Sequence, residues 1–442
     1  MKIQLSDHFT YKKLLRFTAP PIAMMIFTSI YGVVDGFFVS NFAGKTPFAA
    51  VNFIMPFLMI LGSFGFMFGT GGSALISYTM GEGDMEKANS LFSMLTYISL
   101  GFSVAISLLG MVFIRPLAAA LGAEGEMLDI CVIYGRIILA ALPAFMLQME
   151  FQSFFVTAEK PQLGLYMTLI SGIANMVLDA LFIMAFDWGI IGAAVATAVS
   201  QVLGGITPMV YFFRENDSLL RLGKMKYDAK GLLRTCTNGS SELLSNMSMS
   251  LVGMLYNVQL MKYAGENGVA AYGVMMNLNL VFLGAFIGYA IGTAPVIGFH
   301  YGAGNHKELK SILKKSLLLI GICSVGMFLL GELLSRPLSV IFVGYDDALL
   351  RLTHDGFQIY SFMFLFVGIA IFGSSFFTAL NNGLIFAIIS FLRTLVFQVA
   401  AILLLPLVWD VNGIWASVVA AELMAALLAG VFLLALRKKY KY

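Results

Sequence analysis

The residue that most demands a chemical explanation is Asp179, a carboxylate set in the run SGIANMVLDALFIM from Ser171 to Met184, which is apolar enough to lie inside a bilayer. A charged side chain at that depth costs roughly 2.5 to 3.5 kcal/mol on insertion scales, so such groups mark ion or substrate pathways. A second acid, Asp35, lies in YGVVDGFFV near the far end of the first apolar run. Asn175 is four residues before Asp179, on the same helical face, and Thr197 lies about as far into the next run as Asp179 lies from the end of its own. At about 1.5 Å per residue Asp35, Asp179 and Thr197 all fall in the outer half of the bilayer. Oxygen-rich groups of this kind can hold a hard cation such as Na⁺, and two carboxylates brought together can carry a proton. Asp35, Asn175, Asp179 and Thr197 are therefore the predicted H⁺ or Na⁺ site.

Other polar residues in apolar runs are weaker candidates. Glu242, Gln148, Glu150 and Tyr256 are read as substrate or proton sites, with helix-terminus stabilisation or pairing to a neighbour as the competing explanation. Glu422 has the same two readings, and Arg136 and Arg393 are the basic residues able to pair with such acids or to snorkel. Pro20 and Pro21 each remove a backbone donor from the first run, making it a candidate hinge or a static kink. Several chemistries are excluded. GTGGS at Gly69 lacks the Lys-Ser/Thr of a phosphate loop, and neither H-E-x-x-H nor G-x-S-x-G occurs, so no enzyme is predicted. Cys131, Cys236 and Cys323 are scattered without metal spacing, which gives no disulfide framework, zinc site or cofactor.

The elements that must position these groups follow from composition. With 59% hydrophobic and 12% charged residues, and a mean hydropathy of +0.88, the chain is a polytopic membrane protein with no nucleic-acid face. Twelve runs reach the length of about 20 residues needed to cross the hydrocarbon core. Of the 27 Lys and Arg, twenty fall on the side of the N-terminus and five on the other, so both termini are predicted to be cytoplasmic in a plasma (inner) membrane. Comparing the halves exposes a repeat. Ala43-Gly44 recurs as Ala264-Gly265, Ala49-Ala50 as Ala270-Ala271, Gly81-x-Gly83 as Gly302-x-Gly304, Thr157-Ala158 as Thr378-Ala379 and Gly192 as Gly413, each at an offset of 221, half of the 442 residues. The predicted organisation is an all-α chain of two six-helix bundles, 1–213 and 232–442, joined by a linker at 214–231. The bundles are related by an axis along the membrane normal and enclose a V-shaped cavity between them. In the second bundle Tyr256 takes the place of Asp35, so the halves are chemically unequal.

The order and spacing of YGVVDGFFV, GEGDMEKAN, FFVTAEKPQLG, ANMVLDALFI and GAAVATAVSQ, together with twelve spans in two bundles, resemble the multidrug and toxic compound extrusion (MATE) family over essentially the whole chain. The resemblance implies export of drugs or amphipathic, cationic organic compounds in exchange for H⁺ or Na⁺ by alternating access, in a monomer. The family's N-lobe cation site would map onto Asp35, Asn175, Asp179 and Thr197. Some members use acids in helices 7 and 10. This chain has Glu242 in helix 7 and no acid within Phe357 to Leu380, so it looks like the branch with the N-lobe site. Within the same superfamily the alternative is a flippase or exporter of a lipid-linked or peptide metabolite.

Overall fold

The computed structural model describes residues 3–39, 42, 45–120, 122–344 and 346–442; Lys2 and the first Ala43-Gly44 pair of the repeat lie outside them. Long apolar helices dominate because a backbone in hydrocarbon must satisfy its own hydrogen bonds. The first six are α1 (Tyr11–Phe38), α2 (Lys45–Gly81), α3 (Met85–Ala120), α4 (Gly125–Thr157), α5 (Pro161–Ala185) and α6 (Gly189–Phe213). The next helical stretch, Ala229–Gly302, has 74 residues, which at 1.5 Å each is about 110 Å, several times the hydrocarbon thickness. It breaks at Gly265, whose φ of 64° and ψ of −154° reverse the chain in a conformation that L side chains rarely adopt. The two parts, 229–264 and 266–302, are α7 and α8. They are followed by α9 (His306–Val343) and α10, whose halves Asp347–Ser361 and Phe364–Ala379 meet at 49°. The last two, α11 (Gly383–Leu404, continuing to 408) and α12 (411–435), are separated by a break at Trp409 and Asp410. Among the described residues this makes twelve spans, in an all-α membrane protein.

Polar caps end the helices at the surface containing both termini, here called the terminal face. Asn305 accepts from Glu308 N at the start of α9, and Asp228 accepts from Gly231 N at the start of α7. Residues 214–228 are irregular but strapped to α3: Asn89 accepts from Arg221 N, Ser93 from Gly223 N and Ser90 from Lys226 N. The N-terminal arm is also seated. Leu5 and Phe9 are fully buried. Leu5 N donates to Glu159 Oε1 (2.6 Å), between α4 and α5, while Phe9 N donates to Glu308 Oε1 (2.9 Å) and Lys315 Nζ to Phe9 O (2.5 Å) on α9.

The helices of the two halves meet where side chains are smallest, as close helix packing in membranes requires. Gly71 of α2 lies against Thr235 and Gly239 of α7, and Gly284, Gly288 and Gly292 of α8 form a four-residue-spaced track under α1 from Thr18 to Ile26. The Pro20-Pro21 turn rests on that track. The helix assignment of α1 continues through both prolines without interruption.

Candidate functional site

In the first half, α1, α5 and α6 bring the predicted cation-site residues together. The carboxyl groups of Asp35 and Asp179 lie close enough to interact directly. Among the described residues no donor reaches Asp35 Oδ1 or either oxygen of Asp179. Two bare carboxylates repel at that range, so the arrangement calls for a proton or cation between them. Asp179 is 0% exposed and Asn175 2%, and Asn175 Nδ2 and Thr197 Oγ1 also lack partners among the described residues.

The depth of Thr197 follows from the antiparallel packing of α5 and α6. Ser171 Oγ donates to Ser200 O (2.7 Å) at one level, and Gly192 lies on the backbone of Phe182 at another. Thr197 is therefore level with the turn that contains Asn175. Immediately beyond Asp179 the helix widens into a π-type segment, Ala180–Ala185, a distortion frequent at functional sites. A fifth residue, Tyr134 of α4, is fully enclosed and lies within reach of the charges of both acids. Sequence reasoning missed it, because a tyrosine in an apolar run gives no signal of its own.

The corresponding region of the second half is neutral and satisfied. Tyr256, 221 residues after Asp35, donates to Gln398 Oε1 (2.8 Å), shares a hydrogen bond with Ser417 Oγ (2.7 Å) and stacks on Tyr272 with centroids 5.1 Å apart. A neutral hydrogen-bonded network around Tyr256 stabilises this region without requiring an ion.

Between the halves lies a cavity of about 370 Å³. Its walls are mostly apolar and adaptable, with Met25, Met249, Met276 and Met363 beside Tyr272 and Tyr360. Its polar groups come chiefly from the second half: Glu242, Asn246, Asn279, Arg393 and Glu422. Arg393 Nε binds both oxygens of Glu422, at 3.0 and 2.8 Å. Helix α1 contributes to both sites, since Met25 and Ser29 border the cavity and Asp35 belongs to the carboxyl pair.

The remaining predicted residues separate. Glu242 and Tyr256 line the cavity. Gln148 lies off it, in a small crevice beside Gly204 and Thr168, where its Nε2 donates to Ser171 Oγ (3.3 Å). Glu150 is completely buried against Gly69 of α2, facing Ser99 of α3, and does not border the cavity. Arg136 is exposed. Among the described residues no cluster of three or more His, Cys, Asp or Glu forms a metal cage.

Comparison with known proteins agrees with this architecture. The chain is similar to the Multidrug export protein MepA of Staphylococcus saprophyticus, with 24% identity over 442 residues covering 97% of this chain and 94% of the relative. It is also similar to MepA of Staphylococcus aureus, at 26% over 327 residues, covering 73% of this chain and 72% of that one. Its fold superposes with a TM-score of 0.93 on a solved structure described as the outward-facing conformation of a multidrug resistance MATE family transporter of the MOP superfamily, at 22% identity over 98% of this chain and 97% of that one. The MatE family model matches twice, over residues 20–181 and 243–403, once in each half of the repeat. With both copies matched and twelve helices arranged as described, this chain belongs to the MatE family.

Proposed function

We propose that the protein is a secondary multidrug exporter, which takes amphipathic or cationic organic compounds from the central cavity and releases them outward in exchange for H⁺ or Na⁺. The observation carrying this reading is the Asp35–Asp179 pair. With Asp179 buried, Asp35 half-buried beside it, and unpartnered atoms on Asn175 and Thr197 among the described residues, these groups need a proton or a small cation to offset their charge. The similarity to multidrug export proteins supports the drug side of the exchange. On the distribution of Lys and Arg, the terminal face is cytoplasmic.

Coupling requires an ion that binds the two access states unequally. Helix α1 can supply that difference. Its far half holds Asp35, its middle borders the cavity through Met25 and Ser29, and Pro20-Pro21 lies between that middle and the terminal face. Loading the carboxyl pair removes the repulsion between α1 and α5, and α1 then moves the cavity wall toward the state that releases the drug. No covalent step is involved. The two halves, 1–213 and 232–442, act as the rocking units.

The test is reconstitution into liposomes with a fluorescent organic cation, imposing a proton or a sodium gradient in turn. Wild-type protein is expected to move the dye under one gradient and Asp179→Asn to lose that response. Full gradient-driven efflux by Asp179→Asn would overturn the assignment.

A further inference from the structure

Two groups of opposite charge face the central cavity without being paired to each other. Arg393 reaches Glu422 through Nε alone, and among the described residues no hydrogen bond engages its Nη1 or Nη2. A guanidinium normally binds a carboxylate through two parallel donors, so this pairing leaves the terminal pair unused. Glu422 is neutralised, and it also restrains the Arg393 side chain, so less conformational freedom is lost when something else binds there. Glu242 is the acid left over. It borders the same cavity and feels the charge of Arg393, yet no ion pair joins it to a basic residue among the described ones.

The spacing of the two groups follows from the backbone. Gly383, at the start of α11, lies directly against Asn238 of α7, and the two helices run in the same direction. From that contact Glu242 is four residues along and Arg393 ten, an axial offset of about 9 Å at 1.5 Å per residue. Tyr272, Tyr360 and Met276 provide the aromatic and apolar surface of the same cavity. The site thus presents a carboxylate, a greasy wall and a fork of charged donors.

We propose that Arg393 is a specificity residue whose Nη groups bind an acceptor, above all a carboxylate, on a substrate whose cationic end is held by Glu242, so that the cavity favours zwitterionic over purely cationic amphiphiles. This inference rests on the reading of the cavity as the substrate site. A purely anionic compound meets Glu242, and a purely cationic one leaves the Nη donors without a partner at the cost of their displaced water. A zwitterion satisfies both ends.

The experiment uses one rhodamine dye in two forms, the free acid, which is a zwitterion, and its methyl ester, which is a cation, with fluorescence polarisation on the purified full chain. Because Arg393→Gln alone strands Glu422, the main variant is Arg393→Gln with Glu422→Gln. A lost charge-assisted hydrogen bond corresponds to a factor of about ten, so the ratio of the acid Kd to the ester Kd is expected to rise about tenfold in this variant. Arg393→Lys, which keeps the charge but lacks the fork, is the check if the double variant does not fold, and it should raise the same ratio. An unchanged ratio in a folded variant overturns the proposal. Glu242→Gln separates this failure from a wider one. It is expected to weaken both dyes, and if it weakens neither, the cavity is not the substrate site and the role of Arg393 falls with it.

Discussion

Gly81 and Gly302 occupy reciprocal positions across the contact between α2 and α8. A Cβ on Gly81 would come within 2.1 Å of Phe299 O, and one on Gly302 within 2.0 Å of Tyr78 O. Tyr78 and Phe299 are themselves 221 residues apart, so the repeat axis passes through this contact. Both glycines let two backbones touch on the terminal face, and the ring of Tyr78 lies 5.5 Å from that of Tyr301 beside them. The described state is closed there.

Gly302→Leu is expected to open that face. The added side chain meets backbone, which cannot move aside as a flexible side chain would, and overpacking of this kind costs typically 1 to 3 kcal/mol, enough to shift a two-state population by about fivefold or more. The measurement is the rate at which a membrane-impermeant maleimide applied from the terminal face labels Thr70→Cys in the cavity, in a background without Cys131, Cys236 and Cys323. Unchanged labelling would show that the contact does not govern access.

Tyr134→Phe tests the enclosure of the carboxyl pair. Tyr134 lies within the field of both acids without a hydrogen bond to either oxygen of Asp179, so Tyr134→Phe removes a hydroxyl dipole from that field and leaves the packing in place. Gradient-driven efflux is expected to fall about threefold or more, while the Kd for drug changes less than about twofold, since Tyr134 does not line the cavity. Loss of drug binding to the same extent would instead assign Tyr134 to packing.

Glu422→Gln alone is expected to be worse than replacing both partners. The side chains of Arg393 and Glu422 are 17% and 6% exposed. Breaking such a pair leaves a stranded charge and costs about 3 to 5 kcal/mol, whereas exchanging both for neutral groups is often close to neutral. Thermal unfolding in detergent should rank wild type and the double variant together, well above Glu422→Gln. Equal midpoints for all three would mean that water in the cavity solvates Arg393 adequately.

Glu308→Ala should release the N-terminal arm locally. Glu308 accepts from Phe9 N and lies 2.6 Å from His8 Nδ1, whereas Leu5 is held separately by Glu159. Amide exchange at Phe9 is expected to quicken about tenfold, the value of one hydrogen bond to a charged acceptor, with Leu5 less affected. Exchange that quickens equally at both amides would mean that the arm leaves as one unit.

The fold was legible because an apolar run of about 20 residues has few alternatives in a bilayer. The acids at 35 and 179 were legible for the opposite reason, standing out against their surroundings. What stayed hidden depended on rotation about helix axes. Gln148, Glu150 and Tyr134 share α4, yet one faces a crevice, one is sealed against α2 and one joins the carboxyl pair. Residue type alone does not assign those faces in a helix that is apolar nearly all round. The pairing of Glu422 was anticipated as a class of interaction, but choosing Arg393 required knowing that α11 lies beside α12. Helix ends also moved: α3 runs on to Ala120, past Ile114 where the apolar run stops, because helix termination follows capping and hydrogen bonding rather than hydropathy.

The glycine track beneath α1 has a consequence for speed rather than affinity. Helices that interlock through side chains have discrete registers, and passing from one to the next means unseating each knob from its hole. At Gly284, Gly288 and Gly292 there are no knobs, and the backbone of α1 from Thr18 to Ile26 rests on bare main chain. A shift of α1 there involves little rotamer exchange on its partner, so the barrier to the motion is low even though the contact is intimate. One methyl group on Gly288 would come within 2.5 Å of Ile22 Cα and 2.6 Å of Pro21 O, lifting α1 off that smooth surface and roughening its path although no group that lines the cavity has changed.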